Sequence, residues 1–179
     1  MKSQHSDLEA ECWAFALAIY ARPGVAEACL NLQNEAGVDV MLLLTTTFAA
    51  VKHRLLLTPD EIRALDDACR PWREQVVRPL RTIRSGLKTG PQPAPSEATE
   101  QFRSHVKTLE LAAEKLENKL LVECLPLRPP EKEIVKPERL RAVLEDVVSF
   151  FAERRGTASR AGLPSSIDTI VEAAVQDAC

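Results

Sequence analysis

Arg70, Arg73, Arg78, Arg81, Arg84 and Lys88 recur at spacings that bring them to one side of a helix. At 100° per residue the six fall within about 140° of arc, while Trp72, Val76, Leu80, Ile83 and Leu87 fall together on another face. Glu74 dilutes the positive charge. Such a stripe is a solvated face, or pairs with the protein's own acids, or binds an acidic protein partner. Nucleic acid ranks last, because the stripe lacks interleaved aromatics for base stacking. A second candidate is Thr45-Thr46-Thr47, three hydroxyls inside an otherwise apolar run. They either bond back to carbonyls one turn earlier or make a polar notch in a ligand pocket with Trp13 and Tyr20.

The remaining chemistry is sparse. The histidines are His5, His53 and His105, and none has an acid at the E-x-x-H spacing of helical di-iron sites. Asp66-Asp67 makes half of an aspartate-rich magnesium-binding pattern, but Arg70 stands where a third aspartate belongs; a pair of exposed acids on a short helix is expected. The six glycines form no phosphate-binding fingerprint. Cys12, Cys29, Cys69, Cys124 and Cys179 are odd in number, widely spaced and without a C-x-x-C pair. They read as reduced thiols, neither a disulfide framework nor a zinc site. No catalytic residue, cofactor or metal ligand is assigned.

The elements that must position these residues are helices. Hydrophobic residues are 45% of the 179-residue chain but aromatics only 4%, so the core must rest on Leu, Val, Ala and Ile. Net charge is −3, which gives no global attraction for nucleic acid or anionic membrane. A polar N-terminus without a signal-peptide pattern and the absence of a long apolar span predict a cytoplasmic protein with no membrane segment. A Ser6/Glu9 capping box opens a helix to about Ala21, and Arg22-Pro23-Gly24 ends it. A short helix runs from Val25 to Ala36 with Gly37 as its stop, and Asp39 caps a third that ends near Leu57. Thr58-Pro59-Asp60-Glu61 opens a fourth. Pro71 should end it near Arg70, and Pro79 should kink or split the next helix. The Pro/Gly-rich stretch 88–99 reads as a linker.

Beyond it Phe102, Val106, Leu109, Ala113, Leu116 and Leu120 repeat at spacings of four and three, a heptad stripe on a helix of about 25 residues. The stripe is expected to pack within the chain, with a homodimer seam through Phe102, Leu109, Leu116 and Leu120 as the alternative. Pro126, Pro129 and Pro130 break the helix. Pro137 starts another, with Leu140, Val143, Leu144, Val147 and Phe151 on one face, and a last helix comes after a loop from Gly156 to Pro164, capped by Ser166.

Several segments are familiar together: Trp13-Ala14-Phe15-Ala16-Leu17 through Tyr20, Arg22-Pro23-Gly24-Val25 through Cys29-Leu30, Leu32-Gln33, and Gly37-Val38-Asp39-Val40 before a Leu run. Pro71-Trp72-Arg73, Arg78-Pro79-Leu80-Arg81 and Arg84-Ser85-Gly86-Leu87-Lys88 complete the set. The chain resembles, over about residues 11–125, a family of small helical bacterial proteins known only as a domain of unknown function. Met41 departs from the polar residue often found there. The resemblance implies a bacterial, cytosolic, helical protein and brings no activity, substrate or catalytic residue.

The expected fold is all-α: a compact multi-helix array over residues 1–125, including the long amphipathic helix, then a Pro-rich connector and C-terminal helical extension over 126–179. The expected function is a non-enzymatic adaptor or regulator. A small-molecule binder using the Trp13, Tyr20 and Thr45–Thr47 pocket is second, and an enzyme of unknown type third. Limited proteolysis should cut first within 88–99; first cuts within 40–51 would overturn this division of the chain.

Overall fold

A computed structural model describes residues 2–126, 128–156 and 162–176, with side chains from Asp7 onward. Those residues form α1 (Lys2–Tyr20), α2 (Val25–Ala36), α3 (Val40–His53), α4 (Pro59–Trp72), a π-helical turn (Arg73–Val77), α5 (Arg78–Gly86), α6 (Glu97–Glu123), α7 (Pro137–Arg155) and α8 (Leu163–Gln176). The fold is all-α. Among the described residues no helix is long and apolar enough to cross a membrane.

Most boundaries arise from local chemistry. Gly37 ends α2 at φ 73°, donating its N–H to Gln33, a left-handed stop that glycine adopts without a Cβ penalty. Two residues on, the Asp39 carboxylate accepts from the Leu42 N–H and opens α3. Thr58 and Glu61 close a full capping box with Pro59 in the first turn of α4. Ser96 and Thr99 close another at the start of α6, so the irregular segment before α6 ends sooner than the linker 88–99. Three starts and stops differ from expectation. α1 already runs at Ser6, so the Ser6/Glu9 box is not its beginning. α3 stops at His53, where Arg54 takes a left-handed conformation and frees Leu55–Leu57 to enter the core. α8 begins at Leu163, ahead of Ser166. Cys179 and the middle of the Gly156–Pro164 loop lie outside the described residues.

Helix α3 is the centre of the molecule. Every residue from Met41 to Ala50 is buried, packed by α1, α6, α7 and α8. Phe48 meets Phe15 of α1 at a ring-centroid distance of 5.6 Å. Helices α7 and α8 do not form a layer apart. Leu140, Leu144, Val147 and Ile170 are fully or almost fully buried in the same continuous core as Leu32, Leu42 and Ile62, and α8 lies along α2. α7 and α8 of the extension therefore complete the core formed by the helices before them.

Two expectations about helix interiors need correction. Pro71 does not end α4, and Pro79 does not split the helix that contains it. A single path runs from Pro59 to Gly86, with the π-helical turn just before Pro79. Pro79 has no N–H for the Gln75 carbonyl, and the wider turn, in which Arg78 N–H reaches the Arg73 carbonyl, accommodates that vacancy. The heptad stripe is also split. Val106 and Ala113 point inward, but Phe102, Leu109 and Leu116 are 55%, 58% and 51% exposed. The buried face of α6 is Val106, Glu110, Ala113, Glu117 and Leu121, with Asn118 and Val122. Two glutamates take inward positions that the apolar pattern alone would have given to leucines: Glu110 meets the part-buried Arg81 and Arg84, and Glu117 meets Asp39.

Leu116→Asp should therefore leave the protein folded, shifting stability by no more than about 0.5 kcal/mol, whereas Phe48→Ala should cost about 3–5 kcal/mol. Urea unfolding monitored by circular dichroism checks both; a Leu116→Asp chain that fails to fold would mean that this face of α6 is covered.

Candidate functional site

The Asp39 that caps α3 also begins a buried ionic cluster. Arg73, in the π-helical turn, is buried. Its Nη1 donates to Asp39 Oδ2 at 2.5 Å and its Nη2 to Asp66 Oδ1 at 2.5 Å. The other Asp66 oxygen accepts from Arg154 at the end of α7. Asp66 is fully buried, so the exposed acidic pair expected at Asp66-Asp67 is half wrong: Asp67 faces solvent and pairs with Arg70 at 2.9 Å, while Asp66 is a core anion. Two buried carboxylates and two guanidinium groups balance in charge.

Glu117 of α6 adds a third carboxyl. Burial, then the Asp39 charge, then a hydrogen bond to Asp39 push its pKa up to about 10, so it is protonated at neutral pH and donates to Asp39. Burial alone would raise Asp39, but Arg73, the Glu117 proton and the Leu42 N–H outweigh it and hold Asp39 below the usual carboxylate range. Cys69 lies against the same guanidinium, with Arg73 Nη1 3.6 Å from its sulfur, and burial pushes its thiol up. Asp39, Cys69 and Glu117 bring ligand atoms within 4.8 Å of one another, an arrangement with metal-ligand chemistry. The Arg73 guanidinium, bonded to Asp39 and touching Cys69, stands where a cation would.

The stripe of six basic residues is thus not a uniform exposed surface. Arg73 is a core cation. Arg81 bonds Glu110 at 2.9 Å and Glu114 at 2.6 Å, and Arg84 bonds Glu110. Arg78 pairs with Glu74 at 2.9 Å, Arg70 pairs with Asp67, and Lys88 is exposed beyond the end of α5. The reading of Arg81 and Arg84 as free contacts for a partner is dropped, because α6 supplies their carboxylates.

The pocket at Trp13, Tyr20 and Thr45–Thr47 is corrected as well. All three threonines are fully buried. Thr46 and Thr47 donate to the carbonyls of Leu42 and Leu43, each at 2.8 Å, one turn earlier. Thr45 accepts from the Cys12 thiol at 3.7 Å, while Trp13 is half-buried and Tyr20 exposed on α1.

A cleft of about 860 Å³ opens instead where the end of α2, the α4–α5 path and the end of α7 meet. Arg73, Arg78 and Arg81 enter it from the α4–α5 path, joined by Arg154 and Arg155 of α7; Glu74, Thr82 and Ser85 also line it. Arg73 and Arg154 form its inner wall, already bonded to Asp39 and Asp66. Arg155 differs from the others: its Nη1 donates to the backbone carbonyls of Gln33 (3.4 Å) and Asn34 at the C-terminus of α2. Those carbonyls carry partial charge only, so Arg155 keeps most of its positive charge at the mouth.

The family described as "Protein of unknown function (DUF2390)" matches residues 11–121, which is most of the chain and includes Asp39, Asp66, Arg73, Glu110 and Glu117. The chain belongs to this family. No curated protein and no solved structure matches it. The DUF2390 region thus holds the cluster's acids and Arg73, while Phe151, Arg154 and Arg155, which finish the cleft, come from beyond it. Sequence reasoning singled out Asp66 only as half of an exposed acidic pair, and missed Glu110, Glu117 and Arg155. An Asp and a Glu at inward positions of amphipathic helices were the available signal for the acids; nothing in the sequence placed Arg155 beside Arg73.

The buried proton on Glu117 has a consequence for stability. Its folded-state pKa is raised above the unfolded value, so the folded protein holds one more proton than the unfolded chain between about pH 4.5 and 10. Stability then falls as pH rises through that window, by about tenfold in the folding equilibrium per unit. Glu117→Gln, which keeps a donor for Asp39 and cannot ionise, should flatten this dependence and stabilise the protein most at the alkaline end. Denaturation midpoints from pH 6 to 9 check it; parallel profiles for the two proteins would show that Glu117 is ionised in the fold.

Proposed function

We propose that the protein is a non-enzymatic binding protein that captures an anionic small molecule in the cleft between α5 and α7. The observation that carries this reading is Arg155, a guanidinium at the mouth of an arginine-lined cleft whose partners among the described residues are carbonyls rather than carboxylates. The cleft's volume lies within the range of small-molecule sites. The balance of charges narrows the site further. Arg73, Arg78, Arg81 and Arg154 face Asp39, Asp66, Glu74, Glu110 and Glu114, and Glu110 also serves Arg84. Burial pushes Glu114 up despite Arg81. The inner cleft is therefore close to neutral, and the unbalanced charge sits at Arg155. An anion is attracted to the mouth, not to the floor.

An adaptor role is the second reading. Phe102, Leu109 and Leu116 lie seven residues apart and make an exposed apolar ridge along α6, a pattern suited to a partner helix.

Titration of a small-anion panel by calorimetry tests the first reading. Arg155→Gln should weaken binding of any hit by about tenfold, the scale of one charge-assisted hydrogen bond, and Glu138→Gln at the opposite end of α7 should change nothing. If no anion binds, and light scattering shows a dimer that Leu109→Asp converts to a folded monomer, the adaptor reading takes its place.

A further inference from the structure

Resting on the anion-binding reading, we propose that the ligand is a small polar phosphate monoester, with its phosphate held between Arg155 of α7 and the Arg78, Thr82 and Ser85 face of α5.

The argument is one of donor number and direction. A carboxylate offers two oxygens in one plane and is satisfied by a single guanidinium fork. A phosphate monoester offers three terminal oxygens and up to two charges, and needs donors arriving from more than one side. The outer cleft supplies them. Arg78 is half-exposed and has a single surface carboxylate, Glu74 at 2.9 Å, an exposed pair of small worth. Thr82 and Ser85 lie three residues apart on α5, both exposed and both lining the cleft, so their hydroxyls stand one helical turn apart on the same wall. Arg155 comes from α7 and Gln33 from α2.

The inner wall excludes the phosphate from a deeper position. Arg73 and Arg154 are bonded to Asp39 and Asp66, and a dianion there would have to displace buried carboxylates. Glu74, 3.6 Å from Arg73 and 2.9 Å from Arg78, adds negative charge beside both, so the lining donors without a carboxylate partner among the described residues include Thr82, Ser85 and Arg155. The rest of the ligand is polar by the same lining. Phe151 is buried, with Arg73 over its ring at 5.5 Å from the centroid, so it offers no free face for a stacked base. The cleft, at about 860 Å³, leaves room beyond one phosphate for a group of sugar size or larger.

Calorimetry with ribose 5-phosphate, inorganic phosphate and succinate tests this, succinate being a dianion without phosphate geometry. Ribose 5-phosphate should bind more tightly than inorganic phosphate, and both more tightly than succinate. Arg155→Gln, and the double change Thr82→Val with Ser85→Ala, should each weaken ribose 5-phosphate by about tenfold. All three side chains are exposed, and circular dichroism verifies that the variants fold. Succinate binding as tightly as ribose 5-phosphate, or ribose 5-phosphate indifferent to the Thr82 and Ser85 changes, overturns the phosphate inference and leaves the anion-binding reading standing. Binding of neither anion overturns both.

Discussion

The guanidinium of Arg73 is the group around which the rest of the molecule is arranged. It is buried, and a buried cation is tolerable only with carboxylates in hydrogen-bonding contact. Asp39 and Asp66 provide them, one from the start of α3 and one from the middle of α4. Each aspartate has a second obligation. Asp39 caps the central helix through Leu42, and Asp66 holds Arg154 of α7. One side chain thereby ties together the helix start at the centre of the core, the α4–α5 path and the C-terminal extension. Removing it would take one cationic partner from each of two buried carboxylates, a loss of about 3–5 kcal/mol, comparable to much of a domain's net stability.

The same requirement explains the irregular geometry nearby. Arg73 opens the π-helical turn that precedes Pro79. A proline within a helix costs on the order of 3 kcal/mol, and both Pro71 and Pro79 sit on this path. The burial of Cys69 and Val77 on either side, with the ion pairs of Arg73 between them, offsets that cost and holds the path together. On the opposite wall α6 turns Glu110 and Glu117 inward. Glu110 bonds both Arg81 and Arg84, Arg81 also meets Glu114, and Glu117, protonated, completes the shell of Asp39. The ridge of Phe102, Leu109 and Leu116 faces water because the carboxylates took the inward positions.

Structure and binding chemistry meet at the cleft. Its floor is the outer surface of the Arg73 and Arg154 cluster, where both guanidinium groups already meet carboxylates. Its mouth is made of Arg78, Thr82, Ser85 and Arg155, exposed side chains outside the buried ionic cluster. Such a division suits binding: groups that recognise a ligand can stay solvated until it arrives, while the groups beneath hold the walls apart.

Much of the helical framework was legible in the sequence. Gly37, Asp39, the Thr58/Glu61 box and Pro137 mark helix ends through bonds made within a few residues, and such bonds are written locally. The buried run of α3 was legible for the same reason, as were the back-bonded hydroxyls of Thr46 and Thr47. Which charges are buried was not legible, since Asp66 and Asp67 are adjacent, alike in type, and opposite in fate. Their difference depends on Arg73, seven residues on, and Arg154, 88 residues on. The sequence by itself determined the helices and their order; tertiary structure decided which arginines meet carboxylates and which, like Arg155, meet carbonyls among the described residues, because electrostatic pairing acts across space and carries no signature in residue spacing.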